Sequence, residues 1–206
     1  TPASASAAAF RRNYVMDDYY CDNNQARYLA LRGTWGGHAE VFQRGRLGQY
    51  AEYDLSSAYP HSAILLGKMP VQESWKRVRS LSRADKMISG FAHVSFRFPD
   101  DAEYPCLPVF ADTAMLYPRT GHSYCSLDEV RIAVHVMGAD VKILDAWGYR
   151  GGTTILGDYL QWTLAERRKA SGAGQVMFKL LGNAIIGKFA QQISKFPLRE
   201  YERICD

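Results

Sequence analysis

Paired cysteines are missing from this chain. Its four, Cys21, Cys106, Cys125 and Cys205, stand apart with no Cys-x-x-Cys among them. That spacing excludes a zinc ribbon and a dense disulfide framework, and it makes reduced thiols in an intracellular setting the expectation. His122 and Cys125, in GHSYC, are ligand-type side chains close together, but no second pair completes a site, so the stretch reads as a turn. Long apolar runs are also lacking. None approaches the ~18 residues that span a bilayer, and the opening TPASASAAAF has no basic segment followed by a hydrophobic one, so no membrane partner is expected. Charge of one sign is scarce too. With 25 Lys and Arg against 21 Asp and Glu, the net +4 permits an anionic partner without demanding one. There is no internal repeat and no low-complexity tract. The first residue is Thr rather than Met, and the last residues carry no helix stop, which together predict a piece of a longer chain or a processed one.

What is present is the balance of a globular protein, 206 residues with 47% hydrophobic and 22% charged. ASASAAAFRRNY predicts a helix from its small residues, and residues 17–30 a loop and a helix. AEVFQRG and QYAEYDL alternate on either side of glycines, which predicts two strands joined by a turn, with Asp54 at the end of the second. SSAYPHSAILLG then shifts to helical spacing, with Ser56 or Ser57 as cap and Pro60 in the first turn. GFAHVSFRF alternates as a strand, and SLDEVRIAVHVMG predicts an amphipathic helix with a Ser126 to Glu129 capping box and a stop at Gly138. DVKILDAWGYR predicts a strand. LGDYLQWTLAERRKA and GQVMFKLLGNAIIGKFAQQ predict two helices parted by SGAG. Strands and helices do not alternate regularly enough for a doubly wound sheet, so the fold class is α+β with a helical hairpin attached.

Few residues suggest chemistry one by one. Asp54 can reach a divalent ion, with the Leu55 carbonyl as a second oxygen, or it can simply cap the helix that follows. Tyr59 can lay its ring over a pocket floor or fill the core. In the last helix Lys179, Asn183 and Gly187 recur every four residues and so share one face, able to hold a phosphate and a sugar or merely to pack. Gly182 and Gly187 each weaken a helix by roughly 1 kcal/mol, which implies a close approach that offsets the loss. Arg167, Arg168 and Lys169 end the preceding helix, where they complement its dipole or face the same space as Lys179.

Together, DLSSAYP at 54–60 and KLLGNAIIGKF at 179–189 resemble two motifs of family B DNA polymerases, the palm motif Asp-x-x-Ser-Leu-Tyr-Pro and the fingers motif Lys-x-x-x-Asn-Ser-x-Tyr-Gly, about 125 positions apart. TWGGHAEVFQRG resembles the Tyr-x-Gly-Gly segment of the protein-primed branch, and LDEVRIAVHVMGADVKILDAW resembles a palm stretch. The resemblance implies the end of an exonuclease region or connector over 1–32, palm with an insertion over 33–156, fingers over 157–192 and the start of a return to the palm over 193–206. It implies a mixed or antiparallel palm sheet with short helical-hairpin fingers. It further implies that Asp54 and the Leu55 carbonyl hold Mg2+, two ions in the complete site, and that Ser56, Ser57 and Ala58 line the triphosphate with backbone amides. Tyr59 falls on the steric-gate position, Lys179 and Arg167 on triphosphate contacts, Asn183 beside the nucleotide and Gly187 at the templating pair. Trp35, Gly36, Gly37 and Lys188 fall on DNA contacts. The implied partners are primer-template DNA and deoxynucleoside triphosphates, with a terminal protein as a further primer. The implied setting is a host cytoplasm for a virus or phage, or an organelle for a linear plasmid.

The sequence departs from the family at four places. Ala184 and Ile186 replace the Ser and Tyr of the fingers motif, and Trp35 replaces the first Tyr of Tyr-x-Gly-Gly. The third motif, Asp-Thr-Asp, is absent, and DDAEY at 100–104 and MDDYY at 16–20 precede the fingers motif and read as solvated loops. One carboxylate cannot hold two magnesium ions, so this chain alone is expected to be inactive and a longer parent to polymerise DNA. The alternative from another class is a polymerase-derived module that binds DNA or nucleotide without catalysis.

Overall fold

The computed structural model describes residues 1–15, 23–34, 45–46, 48–71, 73–111 and 114–193. Along the chain these form α1 (Pro2–Tyr14), α2 (Asn24–Arg32), α3 (Ala58–Leu65), β1 (Met69–Pro70), β2 (Trp75–Arg77), α4 (Leu81–Ala84) and β3 (Ser89–Arg97). There follow β4 (Val109–Ala111), β5 (Ala114–Leu116), β6 (Thr120–Ser126), α5 (Leu127–Arg131), a π-helical turn (Ile132–Val136), β7 (Asp140–Tyr149) and β8 (Gly152–Thr153). Two long helices, α6 (Ile155–Lys169) and α7 (Gly172–Ile193), complete the described residues. The mixed α+β class expected from the sequence is the one observed.

Four strands pair antiparallel in the order β2-β7-β3-β6. In β3 every second residue is buried: Ala92, Val94, Phe96 and also Gly90 face one way. They pack with Cys125 of β6, Val141 and Ala146 of β7, and Leu127, Val130 and Ala133 of the helical segment that follows β6. That segment starts as its Ser-x-x-Glu signature predicts. The Ser126 hydroxyl accepts from the Glu129 amide at 3.1 Å, and the Ser126 amide donates to the Glu129 carboxylate at 2.7 Å. It ends near Gly138, whose φ of +67° suits glycine. Between them the α-helix expected to continue widens into a π-turn, with the Met137 amide bonding back to Ile132 at 3.1 Å.

A separate helical core holds Phe10, Tyr159, Leu160 and Ile185. Here α1 is fastened to the hairpin by a buried polar contact. The Ser6 hydroxyl lies 2.9 Å from the Tyr159 hydroxyl and donates to the Leu181 carbonyl at 2.7 Å. Nothing in ASASAAAFRRNY distinguishes Ser6 from Ser4, so only packing reveals the one that matters. The sheet and the helical core are joined by the two-residue β1–β8 ladder, where the Tyr149 hydroxyl donates to the Lys68 carbonyl at 2.7 Å.

Three expectations need correction. Residues 50–55 are not a strand: Tyr50, Tyr53 and Leu55 are 79%, 92% and 79% exposed, so their alternation has no apolar face to bury. The partner strand AEVFQRG lies, apart from Gly45, outside the described residues. GHSYC is not a turn but the middle of β6, because Ser123 and Cys125 alternate into the core. The linker is Ala170 and Ser171 rather than SGAG, since α6 ends at Lys169 and Gly172, with φ of +54°, already begins α7.

Gly90 and Gly148 face each other across β3 and β7 beneath Leu127. A Cβ on Gly90 would collide with the Trp147 carbonyl oxygen and lie 2.6 Å from the Gly148 Cα, both backbone atoms that cannot step aside. Gly90→Ala should therefore lower stability by about 2 kcal/mol or more. Thermal unfolding checks it, and an unchanged melting temperature would contradict this packing.

Candidate functional site

The motif residues meet where α3, α6 and α7 pack together. Gly182 is one of the buried residues of α7. A Cβ there would lie 3.0 Å from Thr163 Oγ1 on α6 and 3.7 Å from Pro60 on α3, so the bare backbone is what brings three helices together. Thr163 is itself buried, with its hydroxyl bonded back to the Leu160 carbonyl at 2.8 Å. The cost of glycine to a helix predicts a close approach at both Gly182 and Gly187. At Gly187 no described atom outside its own helical turn lies within 4 Å of where its Cβ would stand.

One turn along from that contact, Arg167 of α6 donates a 2.6 Å hydrogen bond to the Ser57 hydroxyl, across 110 residues of sequence. Ser57 sits in the left-handed region, φ 57° and ψ 42°, and its side chain does not cap α3 as the sequence suggested it would. Pro60, in the first turn of α3, is buried. Of the three bases ending α6, Arg167 is the one that reaches the Asp54 segment: Lys169 pairs with Glu166 at 2.8 Å and Arg168 is exposed. Asp54, Leu55 and Ser56 form an exposed lead that turns into α3, whose first residues are Ala58 and Tyr59, the latter 65% exposed. Lys179, Asn183 and Gly187 do share one exposed face of α7, and Lys188 beside them is half-buried. Asn183 lies about 100° round the helix from Gly182, so this face flanks the junction. Trp35, Gly36 and Gly37 lie outside the described residues.

For a divalent cation the site offers the Asp54 carboxylate and the Leu55 carbonyl. Both are hard oxygen donors of the type magnesium takes, but they are only part of an octahedral set. Among the described residues no group of three or more His, Cys, Asp or Glu side chains comes together. Asp100, Asp101 and Glu103 are exposed in a loop, and Cys125 is buried in the sheet core while His122 is exposed, which separates the one ligand-type pair in β6. Burial pushes the Cys106 thiol up to about 11 and the Cys125 thiol further, which disfavours the thiolate that binds metals or attacks as a nucleophile. No described helix is long and apolar enough to cross a membrane.

A second concentration of titratable groups, unrelated to the motifs, lies on the sheet face against which α2 packs. His93 stacks on Tyr124 at 4.2 Å and 3°, and the Arg32 guanidinium sits 4.7 Å from the Tyr124 ring centre. Partial burial, reinforced by His122 and Arg32 and opposed by Asp145, holds His93 below the ordinary histidine range.

Comparison with known proteins fits this geometry into a class, the DNA polymerases. Solved structures of Phi29 DNA polymerase share the fold. An orthorhombic crystal form matches with a TM-score of 0.66 at 16% identity, over 92% of this chain and 36% of that one. The complex with primer-template DNA and incoming nucleotide matches at 0.64 and 16%, with the same coverage. Primer-independent DNA polymerase PolB of Escherichia coli is 28% identical over 174 residues, which are 76% of this chain and 20% of the relative. Residues 1–198 match the family of DNA polymerase type B, organellar and viral, and the chain belongs to that family. It thus spans about a fifth of the curated relative and about a third of the solved polymerases.

His93 supplies a test of the sheet face. Its folded pKa is depressed below the unfolded value of about 6.5, so as pH falls through that value the unfolded chain takes up the proton first and stability is lost. His93→Phe keeps a ring on Tyr124 but cannot protonate. Its melting temperature should decline less steeply between pH 7 and 5 than that of the wild type, and equal slopes would reject the assignment.

Proposed function

We propose that this chain carries the nucleotide-binding half of a DNA-directed DNA polymerase site, and that the full-length protein extends a primer 3′-hydroxyl with deoxynucleotides by a two-metal mechanism. The observation that carries the reading is the Arg167–Ser57 hydrogen bond, which draws the fingers motif helices and the Asp54 segment into one place. Membership of the polymerase family supports it independently.

In this reading the Asp54 carboxylate and the Leu55 carbonyl hold Mg2+. Bound magnesium ions supply charge stabilisation at the attacking and leaving oxygens of an in-line displacement. Backbone amides of Ser56, Ser57 and Ala58 line the triphosphate at the N-terminus of α3, a polarity that suits an anion. Arg167 and Lys179 neutralise phosphate oxygens, Asn183 lies beside the incoming nucleotide, and Gly187 leaves room for the templating pair. Trp35, Gly36, Gly37 and Lys188 touch DNA. Tyr59 excludes a ribose 2′-hydroxyl by occupying its space. The partners are primer-template DNA and deoxynucleoside triphosphates, with a terminal protein as the alternative primer. With a single carboxylate at the site, the present chain by itself does not polymerise; the second is expected on an Asp-x-Asp motif in the parent.

A second reading is a module that binds DNA or nucleotide without catalysis. It is favoured by Ile186, which stands where the fingers motif carries Tyr and packs against the helical core of Phe10 and Tyr159. DNA retention in a gel shift without nucleotide incorporation by the full-length protein selects this reading over the first.

In the full-length protein Asp54→Ala should lower incorporation by about a thousandfold or more, since a metal ion contributes several kcal/mol to the transition state, while primer-template binding persists. Retained incorporation would remove Asp54 from the mechanism. Tyr59→Val should weaken discrimination against ribonucleotides by on the order of 10- to 200-fold, the range one steric contact supplies. Competition between deoxy- and ribonucleotides measures it, and unchanged sugar selectivity would contradict the gate.

A further inference from the structure

Ser57 has three properties that do not fit a plain helix start. It adopts φ +57°, a region that disfavours a residue with a Cβ. It stands at the N-cap of α3 yet makes no side-chain cap bond, and the residue three places on, Pro60, has no N–H to donate to its hydroxyl. Its hydroxyl instead accepts from Arg167 at 2.6 Å. A glycine would suit the backbone better and an ordinary capping geometry would suit the helix better. The arrangement gives up both and leaves the hydroxyl where Arg167 can use it.

The placement follows from the helix junction. Pro60, Thr163 and Gly182 converge. From that point Ser57 lies one turn toward the start of α3, Arg167 one turn toward the end of α6, and Lys179 nearly one turn toward the start of α7. Because α6 and α7 are linked by two residues they run antiparallel, as the Trp162–Phe178 contact across them at 5.7 Å requires, so Arg167 and Lys179 lie toward the same end of the hairpin. A guanidinium carries five N–H donors in a planar fork. One nitrogen, Nη1, is committed to Ser57; the remaining donors are fixed in direction by that bond.

We propose that the Ser57 hydroxyl is a positioning residue for the incoming nucleotide: it holds one edge of the Arg167 guanidinium at the N-terminus of α3 so that the other edge meets the triphosphate. The proposal rests on the polymerase reading above. It assigns the motif serine a side-chain task, the orientation of a fingers arginine, in addition to the backbone contact. Without the hydroxyl, Arg167 must be ordered by the nucleotide itself, and the loss falls on nucleotide affinity.

The test uses the full-length protein and steady-state incorporation of a deoxynucleoside triphosphate on primer-template DNA. Ser57→Gly removes the hydroxyl while favouring the left-handed turn, so it separates the hydroxyl from backbone strain; a melting temperature no lower than wild type confirms that the variant is folded. Its KM for the nucleotide should rise about tenfold, the scale of a hydrogen bond to a charged group, and by more than kcat changes. Ser57→Asn, which tolerates this backbone region and offers an acceptor oxygen, should recover part of the loss. In an Arg167→Ala background Ser57→Gly should add nothing, because the two residues act as one unit. Incorporation by the wild type with an unchanged or lowered KM in Ser57→Gly, or additive effects of the two substitutions, overturns the role of Ser57 while leaving the polymerase reading in place. Absence of incorporation by the wild-type full-length protein rejects that reading and this proposal with it.

Discussion

The close approach at Gly182 is the contact on which the site's geometry rests. The helical hairpin meets α3, from ninety or more residues upstream, at this point, and the bare Gly182 backbone sets the spacing: a Cβ there would press on the Thr163 hydroxyl at 3.0 Å and touch the Pro60 ring at 3.7 Å. Helix axes normally pack 8–10 Å apart according to the side chains between them, so a glycine at the crossing lets the α7 backbone approach closely. That approach brings the end of α6 within reach of the start of α3, and the Arg167–Ser57 hydrogen bond spans the remaining gap. A helix-weakening residue in the middle of α7 is therefore the condition for assembling the motifs.

The rest of the helical unit braces this junction. Phe10, Tyr159, Leu160 and Ile185 bury their side chains, each worth about 1.5–3 kcal/mol when removed from water, and the buried Ser6–Tyr159 contact gives α1 a fixed position on the hairpin. The antiparallel sheet has its own core, assembled from alternate residues of β3, β6 and β7 against the helical turns that follow β6. Its attachment to the helical unit through β1 and β8 is only two residues wide on each strand. Each unit is thus stabilised mainly by its own apolar burial, and the motif residues belong to the helical one.

Local signals carried much of the reading. Composition and the irregular order of elements gave the α+β class. Period-two burial marked β3, the Ser126–Glu129 pair and Gly138 bounded a helical segment, and four-residue spacing placed Lys179, Asn183 and Gly187 on one face. In each case the cause is short-range, a hydrogen bond within one turn or a period fixed by backbone geometry. Misreadings arose where burial overrode a local pattern. GHSYC carries turn-like residues, yet its alternate side chains reach the sheet core and it pairs as β6. QYAEYDL alternates convincingly, yet it has no core to face.

By itself the sequence determined the class of fold, the bounds of the capped helical segment and the two long helices, and the motif pattern that identifies a polymerase family, because each is written within a few residues or in fixed spacings along the chain. Only the tertiary structure decided that Gly182 rather than Gly187 is the point of close approach, that Arg167 alone of three adjacent bases turns to Ser57, and that Ser6 is the serine of α1 that is buried. These depend on which face of one helix meets which face of another across more than a hundred residues. That choice is made by the packing of whole surfaces, and no short stretch of sequence contains it.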